Sequence, residues 1–216
     1  MRLKKPASKQ VFLIMFTKTV TIRKYHCLYN NKHQLMNSKN TIQLIQECKL
    51  NKQQAQMSVY KLYCDAMYNV AFRILQNSYE AEDVVQESFL KAFNELHKLK
   101  ELKAFGGWLK KIVVTKSINL LKKEKKIQFV NLEIVEEKLE QTTESIELTD
   151  LKVQEIFNTI KTLKPNYALL LTLHFIEGFD YDEIVGITGM SYSNCRTTIS
   201  RAKESLRTKL ATHAEQ

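Results

Sequence analysis

From Met57 to Leu75 the apolar residues Met57, Tyr60, Tyr63, Met67, Val70, Ala71, Ile74 and Leu75 recur at steps of three and four, the period of one helix face. Only five Gly and two Pro stand in the 216 residues. Few chain breakers and many straight-chain residues predict an all-α protein, since sheet would need more turn residues. Without an internal repeat, that length suits two small domains joined by a linker.

The first helix should end near Gln76. Asn77 with Glu80 three residues on makes a capping box. The helix behind it sets Val84, Val85, Phe89, Ala92, Phe93 and Leu96 on one side, so the two should pack as a hairpin. A third helix is predicted over Phe105 to Leu121, opened by a flexible Gly106–Gly107 pair and carrying Trp108, Leu109, Ile112, Val113 and Leu120. Beyond it Ile127 to Leu148 reads as a linker, because Asn131 to Asp150 holds seven acids, one Lys and weak periodicity.

The second domain should begin with a helix through Leu151, Ile156, Phe157, Ile160 and Leu163. Pro165 can occupy the first turn of the next helix, where its missing N–H costs nothing. That helix is apolar nearly all round (Leu169, Leu170, Leu171, Leu173, Phe175, Ile176) and should form the centre of the domain, ending at Gly178. Asp180 and Glu183 then form a capping box, Gly189 makes a turn, and Ser191 can cap a last helix with Cys195, Ile199, Ala202 and Leu206 inward. The layout is a helix-turn-helix.

Net charge (+10) locates nothing until it is placed along the chain. Residues 1–40 hold nine of the 33 basic groups and none of the 23 acids, leaving 24 against 23 for the rest. Residues 1–40 are therefore read as a basic N-terminal extension, expected to be disordered, with Met36 a candidate natural start. Any nucleic-acid surface must be a local patch. One such patch is plain: Lys98 to Lys126 contains ten Lys against two Glu.

Cys27, Cys48, Cys64 and Cys195 stand too far apart for a zinc site, and Cys64 and Cys195 fall on apolar helix faces, which suits buried thiols in a reducing cytoplasm. His26, Cys27 and His33 lie in the unpatterned arm and are not expected to bind metal. No apolar run approaches a membrane span. Val11 to Phe16 is shorter than a signal-peptide core.

Setting the apolar face of the last helix inward turns Ser193, Thr197, Ser200 and Arg201 outward, with Arg196 and Arg207 on the flank. These are donors of the kind that reach base edges and phosphates in a major groove; an ordinary solvated helix face is the plainer alternative. Trp108 among Lys110, Lys111, Lys116, Lys122 and Lys123 combines an aromatic with cations, as binding of unpaired DNA requires. Trp108 itself reads first as a core anchor. Asp83, Gln86 and Glu87 make an acid-and-amide face that, taken alone, is a solvated surface.

Together, AEDVVQESFLKAF (81–93), GGWLKKIV with its Lys-rich tail, the acidic linker and LKPNYALLLTLHFIEGFDYDEIVGITGMSYSNCRTTISRAKESL resemble regions two and four of extracytoplasmic-function sigma factors of the sigma-seventy family. The likeness runs from about Met57 to Leu210, in the family's order. It implies two helical domains, over residues 41–126 and 149–212, joined by a linker over 127–148. It further implies that Asp83, Gln86 and Glu87 dock on the clamp coiled coil of core RNA polymerase, with the flap as a further polymerase contact. Trp108, Lys110, Lys111, Asn119, Lys122 and Lys123 would serve the minus-ten element, and Ser193, Arg196, Thr197, Ser200 and Arg201 the minus-thirty-five element. The connection from Asn94 to Gly107 would help hold an extruded base, and the acidic linker would thread the channel that later carries RNA. Thr115, Thr198 and Ser200 depart from the family's usual residues, and the Lys-rich tail replaces an Arg-rich one, losing bidentate geometry.

The expected protein is a cytoplasmic transcription-initiation factor, not an enzyme, with no cofactor, metal, small-molecule substrate or stable membrane insertion. Its expected partners are core polymerase, promoter DNA and, as an open question, an anti-sigma factor. Two rivals stand beside it: a helix-turn-helix regulator that works without polymerase, and a helical adaptor that binds only protein.

Overall fold

A computed structural model describes residues 38–124, 127 and 150–214. The N-terminal arm with Met36, and nearly all of the acidic linker, lie outside the described residues. Among those described there are helices and turns and no strand.

Helix α1 (Ser38–Lys49) precedes α2 (Gln53–Leu75). Ile45 and Cys48 of α1 are buried, and the Lys49 ammonium donates to the Leu99 carbonyl at 3.1 Å. Helix α2 begins four residues before the predicted Met57 and stops where expected, with Gln76 in the left-handed region (φ 54°). Asn77 caps α3 (Ser78–Glu95), its side-chain oxygen accepting the N–H groups of Tyr79 and Glu80 at 3.0 and 3.4 Å. Two short turns, Leu96–Lys98 and Leu102–Ala104, lead into α4 (Phe105–Lys123).

Helices α2, α3 and α4 pack mutually into the first lobe, around Val59, Val85, Phe89, Leu109, Val113 and Ile118. Small buried residues let the helices approach. Ser88 and Ser117 are fully buried, and their hydroxyls donate to the carbonyls of Val84 and Val113 one turn back, so neither polar group is left unpaired. Gly106 lies inside the first turn of α4, not in a flexible opening as the sequence suggested. A Cβ there would stand 3.1 Å from the Tyr63 ring, so the glycine serves a close approach between α2 and α4.

In the second lobe α5 (Asp150–Lys161) leads through Pro165, in the first turn of α6 (Pro165–Leu171), to a widened π turn over Thr172–Ile176. Gly178 (φ 73°) ends this run, with the Phe179 N–H on the Leu173 carbonyl at 3.0 Å. Leu169, Leu170, Leu171 and Leu173 are buried as expected, but Phe175 is 57 % exposed. Phe175 falls in the widened turn, where the Glu177 N–H reaches back five residues to the Thr172 carbonyl. A face extrapolated at 3.6 residues per turn is misplaced there.

The capping box on α7 (Tyr181–Thr188) is complete: the Asp180 carboxylate accepts from Glu183 N–H at 2.8 Å, and Glu183 accepts from Asp180 N–H at 3.3 Å. Gly189 (φ 76°) makes the turn into α8 (Tyr192–Ala214). The Ser191 hydroxyl accepts the Asn194 N–H at 3.3 Å. Cys195, Ile199 and Ala202 are buried, and Leu206 is half-buried.

The two lobes are not held apart. Both belong to one compact unit, Ile42–Gln216, in which α7 lies against α4. Cys64, expected to be buried, is half-buried, its thiol 3.5 Å from an Asp65 carboxylate oxygen.

Candidate nucleic-acid interface

Ser193, Arg196 and Arg201 stand exposed along α8, with Thr197 and Ser200 half-buried beside them. The inward anchors Cys195, Ile199 and Ala202 fix this orientation, because they recur at steps of four and three on the opposite face. Asn194, buried under that surface, accepts from the Thr198 hydroxyl at 3.1 Å and steadies the first turn of α8. The helix thus presents two guanidinium groups and three hydroxyls outward, a donor-rich face of the type that enters a major groove.

Around α7 and α8 three aromatic rings and a histidine form a chain: His174 lies 4.8 Å from Tyr181, which lies 5.8 Å from Tyr192, with Phe175 4.7 Å from His174. Nδ1 of His174 pairs with the Phe179 carbonyl at 2.9 Å, tying the ring to the turn at Gly178. Burial, and next the Cys195 thiol, raise the Tyr181 hydroxyl above its ordinary range, while Arg196 acts in the opposite sense. The hydroxyl therefore stays protonated at neutral pH. Burial also pushes the Cys195 thiol up to about 11 and, with Glu47 adding to it, the Cys48 thiol up to about 12. Neither is a thiolate at neutral pH, so neither is an activated nucleophile.

In the first lobe, Trp108 is half-buried against Phe105 at a ring distance of 6.1 Å, consistent with an anchor at the base of the basic helix. Lys111, Asn119 and Lys123 are exposed along α4. Lys110 and Lys122, which the resemblance assigns to the minus-ten element, are half-buried and engaged by protein carbonyls: Lys110 donates to the Glu177 carbonyl at 2.7 Å and Lys122 to the Thr188 carbonyl at 2.8 Å. The minus-ten set is therefore brought onto one helix but divided between open and occupied cations. Asp83 and Glu87 are exposed on α3 with Gln86 half-buried beside them. Glu87 pairs with Lys116 at 2.6 Å, a surface ion pair worth about 0–1 kcal/mol and so easily exchanged.

Sequence reasoning passed over Arg73 and Glu177. Arg73 of α2 reaches Glu177 at 2.7 Å, and the Glu177 side chain is buried. One local signal existed: Glu177 is an acid at a helix C-terminus, where the macrodipole disfavours negative charge unless a cation answers it.

Residues 59–127 match the family model for sigma-70 region 2, and residues 154–206 match that for sigma-70 region 4. The ECF RNA polymerase sigma factor SigW of Bacillus subtilis is 27 % identical over 180 residues, covering 77 % of this chain and 94 % of that protein. The ECF RNA polymerase sigma factor SigE of Mycolicibacterium smegmatis is 24 % identical over 164 residues, 71 % of this chain; the match spans 61 % of that longer protein. Among solved structures, CnrH in complex with the cytosolic domain of CnrY superposes with a TM-score of 0.50 at 18 % identity, covering 82 % of this chain and 99 % of that one, a likeness of fold. Both regions occur in the family's order and together take up more than half of the chain, and so the protein belongs to the sigma-70 family of RNA polymerase sigma factors, in its extracytoplasmic-function group.

Proposed function

We propose that this sigma factor binds core RNA polymerase through the Asp83–Gln86–Glu87 face of α3 and carries the polymerase to promoters. In this reading α8 enters the major groove of the minus-thirty-five element, and α4 takes the minus-ten element as its strands part. The observation that carries it is the coexistence, in one chain with both family regions, of a donor face on a helix-turn-helix and a separate helix with exposed cations beside Trp108. Duplex and unpaired DNA ask for these two different surfaces. Extruding a base costs a few kcal/mol, which binding along α4 and to the polymerase offsets.

The chain itself performs no covalent chemistry in this proposal; nucleotidyl transfer belongs to the polymerase. It works in the cytoplasm, in keeping with the absence, among the described residues, of any helix long and apolar enough to cross a membrane. A protein regulator that binds the sigma factor, as the cytosolic domain of CnrY binds CnrH, is proposed as a further partner.

The docking face is tested by reversing its charge. Asp83→Lys with Glu87→Lys places like charge against a surface that must be complementary to acids, a cost of several kcal/mol. Titration of the labelled full chain with core polymerase should show affinity lower on the order of a hundredfold, with unchanged helical circular dichroism, because both side chains are exposed. Unchanged affinity would remove α3 from the interface.

A further inference from the structure

The connection from α3 to α4 enters the basic helix at Phe105, three residues before Trp108. Leu96, Leu99 and Phe105 anchor it by burial. Between Leu99 and Phe105 it runs over the surface, with Lys100, Glu101, Lys103 and Ala104 exposed. Its two short turns are closed by the Leu99 N–H on the Leu96 carbonyl at 3.2 Å and the Ala104 N–H on the Glu101 carbonyl at 3.0 Å. The Leu99 carbonyl falls between these turns, on an extended residue (φ −73°, ψ 112°). The Lys49 ammonium donates to it at 3.1 Å, across 50 positions of sequence. Helix α1 sets that ammonium in place. Ile45 and Cys48 are buried against the first lobe, and Asn51 in the left-handed region (φ 56°), with the Lys52 N–H on the Glu47 carbonyl at 3.2 Å, stops the helix just past Lys49. Lys49 itself is exposed and lies ahead of the residues matched by the region 2 model.

We propose that Lys49 is a positioning residue for strand opening: by fixing the Leu99 carbonyl it holds the connection in the shape that receives an extruded minus-ten base. The inference rests on the reading above in which α4, with the connection ahead of it, takes the minus-ten element. A fixed carbonyl fixes its whole peptide plane, and with it the direction in which Lys100 and the exposed run leave the buried Leu99. Two kinds of DNA contact differ in how much they need this. Ammonium groups on flexible stems follow a phosphate that shifts, so Lys100 and Lys103 can neutralise backbone wherever the connection lies. A flipped base is held by a close-fitting pocket and by hydrogen bonds to its edge, which a small displacement breaks. The tie from Lys49 therefore governs capture of the base and leaves phosphate affinity unchanged. Being exposed, Lys49 is dispensable for the core of the lobe.

The test uses the full chain assembled with core polymerase, on a promoter located by mapping the start sites the complex produces. Permanganate reactivity of unpaired thymines follows strand opening. Lys49→Met keeps the stem and removes the donor, and should open that promoter about tenfold more slowly, the scale of one lost hydrogen bond to a charged group. Lys49→Arg retains a donor and should restore opening to near the wild-type rate. Lys52→Met removes the same charge three residues away and should open normally. All three should match the wild type in melting temperature and in affinity for core polymerase. Abasic sites are then placed one at a time along the non-template minus-ten strand of a preformed bubble. In the wild type one position should show the greatest loss of affinity, marking the extruded base. On the intact bubble Lys49→Met should bind about tenfold more weakly than the wild type; with that one base absent the two should bind alike. A gap that persists on the abasic probe, or opening by Lys49→Met at the wild-type rate, would overturn the assignment. A wild-type complex with no position of special loss would instead strike the minus-ten reading on which the inference rests.

Discussion

Arg196→Ala combined with Arg201→Ala should abolish most promoter-specific binding by the polymerase complex while leaving the fold intact. Both guanidinium groups are exposed on α8, so their removal opens no cavity. Removing a guanidinium that reads a base edge should cost about 1–3 kcal/mol, and the pair together should weaken binding to a minus-thirty-five duplex on the order of a hundredfold or more. A filter-binding or anisotropy titration of the complex against promoter duplexes reads this directly. Equal weakening on every sequence would mark the arginines as phosphate ligands, and no weakening at all would remove α8 from the groove and favour an adaptor that binds only protein.

Phe89→Ala carries the largest expected stability effect. The ring is fully buried at the centre of the first lobe, 4.8 Å from Tyr60 in an edge-to-face arrangement and 5.9 Å from Phe93. Its truncation removes apolar burial and leaves a cavity between α2 and α3, a loss of about 3–5 kcal/mol. Domains of this size are stable by about 5–15 kcal/mol, so the variant should stand close to unfolding at ordinary temperature. Chemical denaturation followed by circular dichroism should show the midpoint lowered with little change in slope. A loss under about 1 kcal/mol would mean that the first lobe is not organised around this ring.

These two sites illustrate what the chain discloses locally. Phe89 stands in a run of apolar residues at helical spacing, and the caps at Asn77, Asp180 and Gly189 are written within four residues of the backbone groups they satisfy. Such short-range chemistry needs no knowledge of the rest of the fold. Helix α1 escaped because few apolar residues, Ile45 and Cys48 among them, mark its buried face and no conspicuous cap announces it. Gly106 was misjudged since glycine means freedom in a sequence, whereas here it means a neighbouring Tyr63 ring.

The candidate surfaces divide in the same way. The outward set on α8 follows from its inward set by helical geometry alone. The lysines of α4 do not: charge is visible in the sequence, but the partners of Lys110 and Lys122 lie 67 and 66 residues away. Only the meeting of the lobes decides which cations are open. Exposed Phe175 likewise depends on a widened turn that no 3.6-residue pattern encodes.

Transcription in vitro with purified bacterial core polymerase on genomic fragments tests the central claim most directly. With this chain added, discrete start sites should arise that are absent with core enzyme alone, and they should vanish with the Arg196 and Arg201 substitutions. Identical transcripts with and without the chain, under conditions where another sigma factor activates the same core, would contradict the account.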